Sequence, residues 1–163
     1  MTRKASFPPV ARADARLLVL GSLPGERSLA DGRYYAHPQN QFWRLMSPVV
    51  GRDLPALGYD DRLATLVEAR VALWDVIASA RRAGSTDAAI REVEANDLAA
   101  LVAKLPALRA VAFNGATAAA VGGSRLGATG LDLVPLPSSS PLHTIGVAAK
   151  LPAWSALAAF LTG

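Results

Sequence analysis

Four short apolar runs punctuate the chain: Arg16–Ser22 (RLLVLGS), Arg70–Val76 (RVALWDV), Arg109–Gly115 (RAVAFNG) and Asp132–Ser138 (DLVPLPS). Each is continuous rather than alternating, which is the pattern of strands covered on both faces. Between them the apolar spacing turns helical. Phe42, Leu45, Met46 and Val49 predict one helix, and Leu63, Leu66 and Val67 a second. A third is expected over Asp97–Leu105, with Asn96 as its N-cap. A last one, over Lys150–Leu161, carries Leu151, Trp154, Leu157 and Leu161 on one face. Strands alternating with helices predict an α/β fold: right-handed βαβ crossovers and a parallel sheet with helices on both sides. Residues 1–163 read as one domain, with 1–14 a loosely ordered N-terminal segment.

In such a sheet, ligands bind beyond the carboxyl ends of the strands. Here those ends read Gly21-Ser22-Leu23-Pro24-Gly25, Asp75, Asn114-Gly115 and Pro137-Ser138-Ser139-Ser140-Pro141. Polar and turn-forming residues therefore converge on one edge, which is where function is expected.

Composition narrows the chemistry. The 163 residues include no cysteine and only two histidines, His37 and His143, so disulfides are excluded and no metal centre is expected. No apolar run reaches the roughly 20 residues needed to span a membrane, and residues 1–10 show no signal-peptide stretch. A cytoplasmic monomer without cofactor is the expectation. The net charge is +4, mostly from arginine, whose guanidinium suits bidentate phosphate contacts. That charge permits a nucleic-acid partner without proving one.

Several motifs carry candidate chemistry. GSLPG after the first strand forms a tight turn whose backbone N–H groups can face a ligand, yet it lacks the Gly-Lys-Ser/Thr of a P-loop. It also reads as an ordinary strand-to-helix turn. Tyr34-Tyr35-Ala36-His37-Pro38-Gln39-Asn40-Gln41-Phe42-Trp43 packs aromatics, a histidine and amides into a loop that opens a helix. Asn40 there can be a helix cap, with Phe42 and Trp43 as core, while the paired tyrosines offer a stacking face to a base. The triple serine can be a flexible exit loop or a grip on DNA phosphates. A serine-hydrolase reading fails for want of a G-x-S-x-G elbow.

GSLPGERSL, YYAHPQNQFW, ALWDV, AFNG and LPSSSP together resemble the uracil-DNA glycosylase superfamily, and within it the hypoxanthine-DNA (deoxyinosine) glycosylase family. The likeness runs from about Arg16 to Trp154, and the HPQN-x-FW block is its most specific part. It implies a three-layer α/β/α sandwich around a four-stranded parallel sheet. The uracil-acting relatives position water with an Asp or Asn where this chain has Leu23, and carry His or Asn where it has Leu136. The resemblance instead implies Asn40 as the catalytic residue. The Pro-Ala-Asn usual after the serines is replaced by Pro141-Leu142-His143.

The implied activity is monofunctional hydrolysis of the N-glycosidic bond of a deaminated base in DNA, hypoxanthine first, leaving an abasic site. No catalytic lysine is implied. Asn40 has no useful basicity, so its carbonyl is expected to hold the attacking water. Ser22, Leu23, Tyr35, Asp75 and Asn114 are the expected base-binding residues: Tyr35 stacks, the Ser22–Leu23 amides and the two side chains read the base edge. Asp75 can equally be salt-bridged to Arg81 or Arg82, and Asn114 can be a turn residue. Ser138, Ser139, Ser140, Pro141, Leu142 and His143 are expected to contact DNA, Leu142 with His143 as a wedge into the vacated stack. Two alternatives stand: a glycosylase of the same fold acting on uracil or xanthine, and a non-catalytic, flavodoxin-like module binding nucleotides or nucleic acid.

Overall fold

A computed structural model describes residues 3–82, 84–85, 89–141 and 145–162. The four apolar runs all form strands: β2 (Leu17–Gly21), β3 (Val71–Asp75), β6 (Ala110–Asn114) and β7 (Asp132–Leu136). They pair in parallel in the order β3-β2-β6-β7. Every residue of β2 and β6 is buried, as expected for central strands covered on both faces.

The helices sort onto the two faces by strand periodicity. Leu17 and Val19 of β2 point to one side, into a core with Phe42, Trp43, Leu45 and Met46 of α2 (Phe42–Val50), Leu66 of α3 (Tyr59–Glu68) and Trp154 of α6 (Val147–Ser155). Leu18 and Leu20 point to the other, against α4 (Leu98–Ala103) and α5 (Ala116–Leu126). The result is the expected three-layer sandwich.

Four details depart from the sequence reading. Residues 7–10, expected to be loose, cover the outer edge of β3: Val10 and Leu73 exchange backbone hydrogen bonds at 2.9 and 2.8 Å, and Trp74 Nε1 donates to the Phe7 carbonyl at 2.8 Å. An exposed strand edge is a liability, and this segment caps it. A second, antiparallel sheet joins β1 (Arg3–Ala5), β4 (Ile77–Arg81) and β5 (Arg91–Ala95). Its strands escape notice because β5 is polar and mostly exposed, held by pairs such as Arg81–Glu92 at 2.6 Å. The cap of α4 is Asp97, whose side chain accepts from Ala100 N–H at 3.1 Å, while Asn96 donates to the Asp75 carbonyl at 2.7 Å. The last helix breaks into a 3-10 segment at Ala156–Leu161.

Strand order places the site. From β2 the chain moves outward to β3, then crosses back to β6 on the opposite side of β2. The connections after β2 and β6 therefore diverge onto opposite faces, which opens a crevice between them. Register brings Gly21 opposite Asp75 and Asn114 opposite Leu136, so the polar strand ends lie level around that crevice.

Packing of α5 on the sheet is close. A Cβ on Gly122 would sit 2.4 Å from Phe113 Cε1, whereas one on Gly123 meets nothing within 4 Å. Overpacking a core costs about 1–3 kcal/mol, and replacing an open helical glycine by alanine gains about 0.5–1 kcal/mol. Gly122→Ala should therefore lower the urea midpoint and Gly123→Ala raise it, at unchanged m-value. Equal shifts for the two would contradict the contact.

Candidate active site

The crevice is a cavity of about 560 Å³ at the ends of the parallel strands. Ser22, Leu23, Tyr35, Asn40, Asp75, Asn114, Ser138, Ser139, Ser140 and Pro141 all line it. Of the expected site residues, only Leu142 and His143 are missing from this group, and both lie outside the described residues.

Each wall has a local cause. The β2 end is held from behind by Arg82, a fully buried guanidinium that donates to the carbonyls of Leu23, Pro24 and Gly84. Arg82 follows β4, one of the strands the apolar pattern does not reveal. Leu23, standing where uracil-acting relatives carry Asp or Asn, is buried in the α4–α5 core. Asp75 is 4% exposed, and Gly21 lets it approach: a Cβ there would lie 2.6 Å from Asp75 Oδ1 and 2.8 Å from the Tyr35 hydroxyl.

Tyr35 adopts φ +52°, a left-handed conformation that costs a non-glycine residue roughly 1–3 kcal/mol. The backbone conformation is held in part by Trp43 Nε1 donating to its carbonyl at 3.2 Å. Its ring lies flat on Phe42, centroids 3.9 Å apart and planes 10° apart. Phe42 in turn meets Trp154 edge-on at 5.9 Å, so the platform is rooted in the core. Tyr34, by contrast, is core: its hydroxyl donates to Pro8 O at 2.8 Å, and burial first, the Asp75 charge second, holds its phenol well above the ordinary range.

One buried serine ties the polar walls together. The Ser139 hydroxyl donates to Asn40 Oδ1 at 2.9 Å and accepts from Asn114 Nδ2 at 2.9 Å. Its backbone N–H donates to Asn114 Oδ1 at 2.8 Å, and its carbonyl accepts from Gln41 N–H at 2.9 Å. Asn114 Nδ2 also donates to the Tyr35 hydroxyl at 3.2 Å. Phe42 N–H donates to Asn40 Oδ1 at 3.0 Å, so Asn40 holds the first residue of α2, while the N-cap position itself falls on Gln41.

These bonds correct three expectations. Ser139, at 1% exposure, is a linchpin rather than a phosphate contact. Asn114 has both amide protons committed within the protein, which leaves it no donor for a base edge. The Asn40 carbonyl, expected to hold water, already accepts two hydrogen bonds. Ser138 accepts from Ser140 N–H at 3.1 Å, and Ser138, Ser140 and Pro141 form the cavity rim. Among the described residues, no cluster of His, Cys, Asp and Glu could hold a metal, and no helix is long and apolar enough to cross a membrane.

The sequence of this chain matches the profile of the uracil DNA glycosylase superfamily over residues 8–158. The chain belongs to this superfamily. Two relatives named hypoxanthine DNA glycosylase come from Methanosarcina barkeri and Methanosarcina acetivorans. They are 41% and 40% identical to it over 113 and 112 residues, 69% of this chain and 72% and 71% of theirs. A solution NMR structure from Methanosarcina acetivorans, provisionally named a uracil DNA glycosylase, superposes with a TM-score of 0.89 at 35% identity, covering 98% of this chain and 99% of that one.

A lysine that the motifs do not flag braces the cavity loops of this superfamily member from behind. Lys150 is fully buried, and its Nζ donates to Gln41 Oε1 at 2.7 Å and Ser140 O at 3.4 Å, joining α6 to both cavity loops. Its signal in the sequence is position: it lies one helical turn before the buried Trp154. Burial lowers its pKa. While the lysine is charged in both states, burial destabilises the fold. As pH rises through the lowered pKa toward the ordinary one, the folded protein sheds its proton first and the penalty shrinks. The stability of Lys150→Met relative to wild type should therefore decline from pH 7 to pH 10 in urea denaturation. A difference independent of pH would refute a buried charge.

Proposed function

We propose that this protein is a monofunctional DNA glycosylase that hydrolyses the N-glycosidic bond of hypoxanthine, leaving an abasic site for base-excision repair. The observation that carries this reading is the joining of Asn40 to Tyr35 through Ser139 and Asn114, inside a cavity large enough for a flipped nucleotide. The two relatives named hypoxanthine DNA glycosylase support the choice of base.

The target nucleotide must leave the stack, at a cost of a few kcal/mol. Tyr35, backed by Phe42, is the proposed stacking platform for its base. Water forms the new bond to C1′ as the C1′–N9 pair departs with the base, which then gains the water's proton. The sugar becomes oxocarbenium-like, so little nucleophilic push is required, and electrostatic stabilisation and positioning carry the rate. Asn40 is the side chain assigned to the reacting atoms. The Ser22–Leu23 amides and Asp75 read the base, and Ser138, Ser140, Pro141, Leu142 and His143 contact the strand. A monomer in the cytoplasm completes the proposal.

Oligonucleotides containing inosine, uracil or xanthine, cleaved by alkali after incubation, test the reading. Cleavage should be strongest at inosine. Asn40→Ala should lose on the order of 100- to 1,000-fold in single-turnover rate while still binding lesion DNA. Tight binding without abasic product would favour a silent binding module instead.

Base choice is tested separately at Asp75. A carboxylate only accepts hydrogen bonds, which suits N1–H of hypoxanthine, whereas an asparagine matches the mixed edge of uracil. A mismatched buried polar group costs roughly 1–3 kcal/mol. Asp75→Asn should raise the uracil-to-hypoxanthine excision ratio at least several-fold, roughly. An unchanged ratio would remove Asp75 from base recognition.

A further inference from the structure

The directions of the hydrogen bonds around Asn40 are determined by groups that can only donate. A backbone N–H cannot accept, so the Ser139 N–H forces the carbonyl of Asn114 toward itself. The other end of that amide, Nδ2, must then be the atom 2.9 Å from the Ser139 hydroxyl. With Oγ accepting there, the hydroxyl proton is directed at the remaining neighbour, Asn40 Oδ1. The Phe42 N–H reaches the same oxygen independently. Two backbone donors thus set the orientation of both amides without reference to any ligand.

The consequence falls on the far end of Asn40. Its oxygen has a protein donor for each lone pair, whereas its Nδ2 makes no hydrogen bond among the described residues. Nδ2 is not a buried atom without a partner, so solvent reaches it, and Asn40 stands in the cavity lining. The group presented to a bound nucleotide is an –NH₂ donor.

We infer that Asn40 acts through this donor, on the departing purine, and not through its carbonyl on water; this rests on the glycosylase reading above. As the C1′–N9 bond breaks, its electron pair spreads over the purine ring nitrogens. A positioned donor at N3 or N7 gains strength as that negative charge grows. Such an interaction is stronger in the transition state than in the ground state, so it accelerates the step. Water is left to add to the cationic sugar without a protein acceptor from this residue. Ser139 is then a positioning residue, holding the amide with its nitrogen toward the base.

Asn40→Asp separates the two roles, because it preserves shape and the acceptor for Phe42 N–H and Ser139 but turns an oxygen toward the base. Single-turnover excision of hypoxanthine at saturating enzyme should fall on the order of 100- to 1,000-fold at neutral pH. It should recover as pH is lowered and the carboxyl becomes protonated, regaining a donor. Neutral-pH activity equal to or above wild type would overturn the inference, since a carboxylate is the better acceptor for water. A wild-type enzyme without activity on any lesion would instead overturn the glycosylase reading.

A second measurement avoids dependence on how that variant folds. Wild type and Asn40→Ala are compared on deoxyinosine, its 3-deaza analogue and its 7-deaza analogue, which lack one ring acceptor each. For one analogue the wild-type to Ala rate ratio should collapse from on the order of 100-fold or more toward unity, because the acceptor for Nδ2 is gone. The same large ratio on all three substrates would exclude donation to the base.

Discussion

The buried Ser139 hydroxyl is the point on which the cavity depends. It sits between two asparagines that come from opposite sides of the sheet's switch point, Asn40 opening α2 and Asn114 ending β6. Because Ser139 also donates its N–H and accepts at its carbonyl, every polar group of the residue is committed to the fold. Burial makes such commitments costly to break, since an orphaned polar group there loses about 1–3 kcal/mol. Two loops that would otherwise move separately are thereby held as one wall.

Behind that wall stand two buried cations that donate into the cavity loops. Arg82 gathers the carbonyls of the β2 loop, and Lys150 joins Gln41 to Ser140. Burying Lys150 carries a desolvation cost, and both side chains fix geometry: loops without regular structure are held by many-pronged donors rather than by a ladder. The left-handed Tyr35 belongs to the same pattern of local cost at a functional site, with its ring pressed onto an aromatic stack that extends to Trp154.

A cavity built this way has little left to rearrange. The amides are oriented before a nucleotide arrives, and the platform is already stacked. This pre-organisation suits a reaction whose transition state is a charge separation, where fixed dipoles act without reorganising at the moment of bond cleavage. It also accounts for the absence of a strong base from the assigned chemistry, since a cationic sugar accepts a weak nucleophile.

By itself, the sequence determined the four parallel strands and the edge on which the polar residues gather. Continuous apolar runs and strand-end glycines, serines and asparagines are local signals, and burial on both faces of β2 and β6 follows from them. The HPQN block and the serine loop were likewise readable as the places to look. The small sheet of β1, β4 and β5 was not: β5 is a mostly exposed strand rich in Arg and Glu, and β1 and β4 are short and carry no continuous apolar run. Nor was the anchoring of residues 7–10, which depends on an edge formed by Leu73 and Trp74 far along the chain. The roles of Ser139, Asn114 and Asn40 belong to the tertiary structure alone. A serine is a phosphate grip or a linchpin, and an asparagine a donor or an acceptor, according to the neighbours it meets. Here those neighbours are 99 and 25 residues apart in sequence, and only folding brings their hydrogen-bonding atoms within reach.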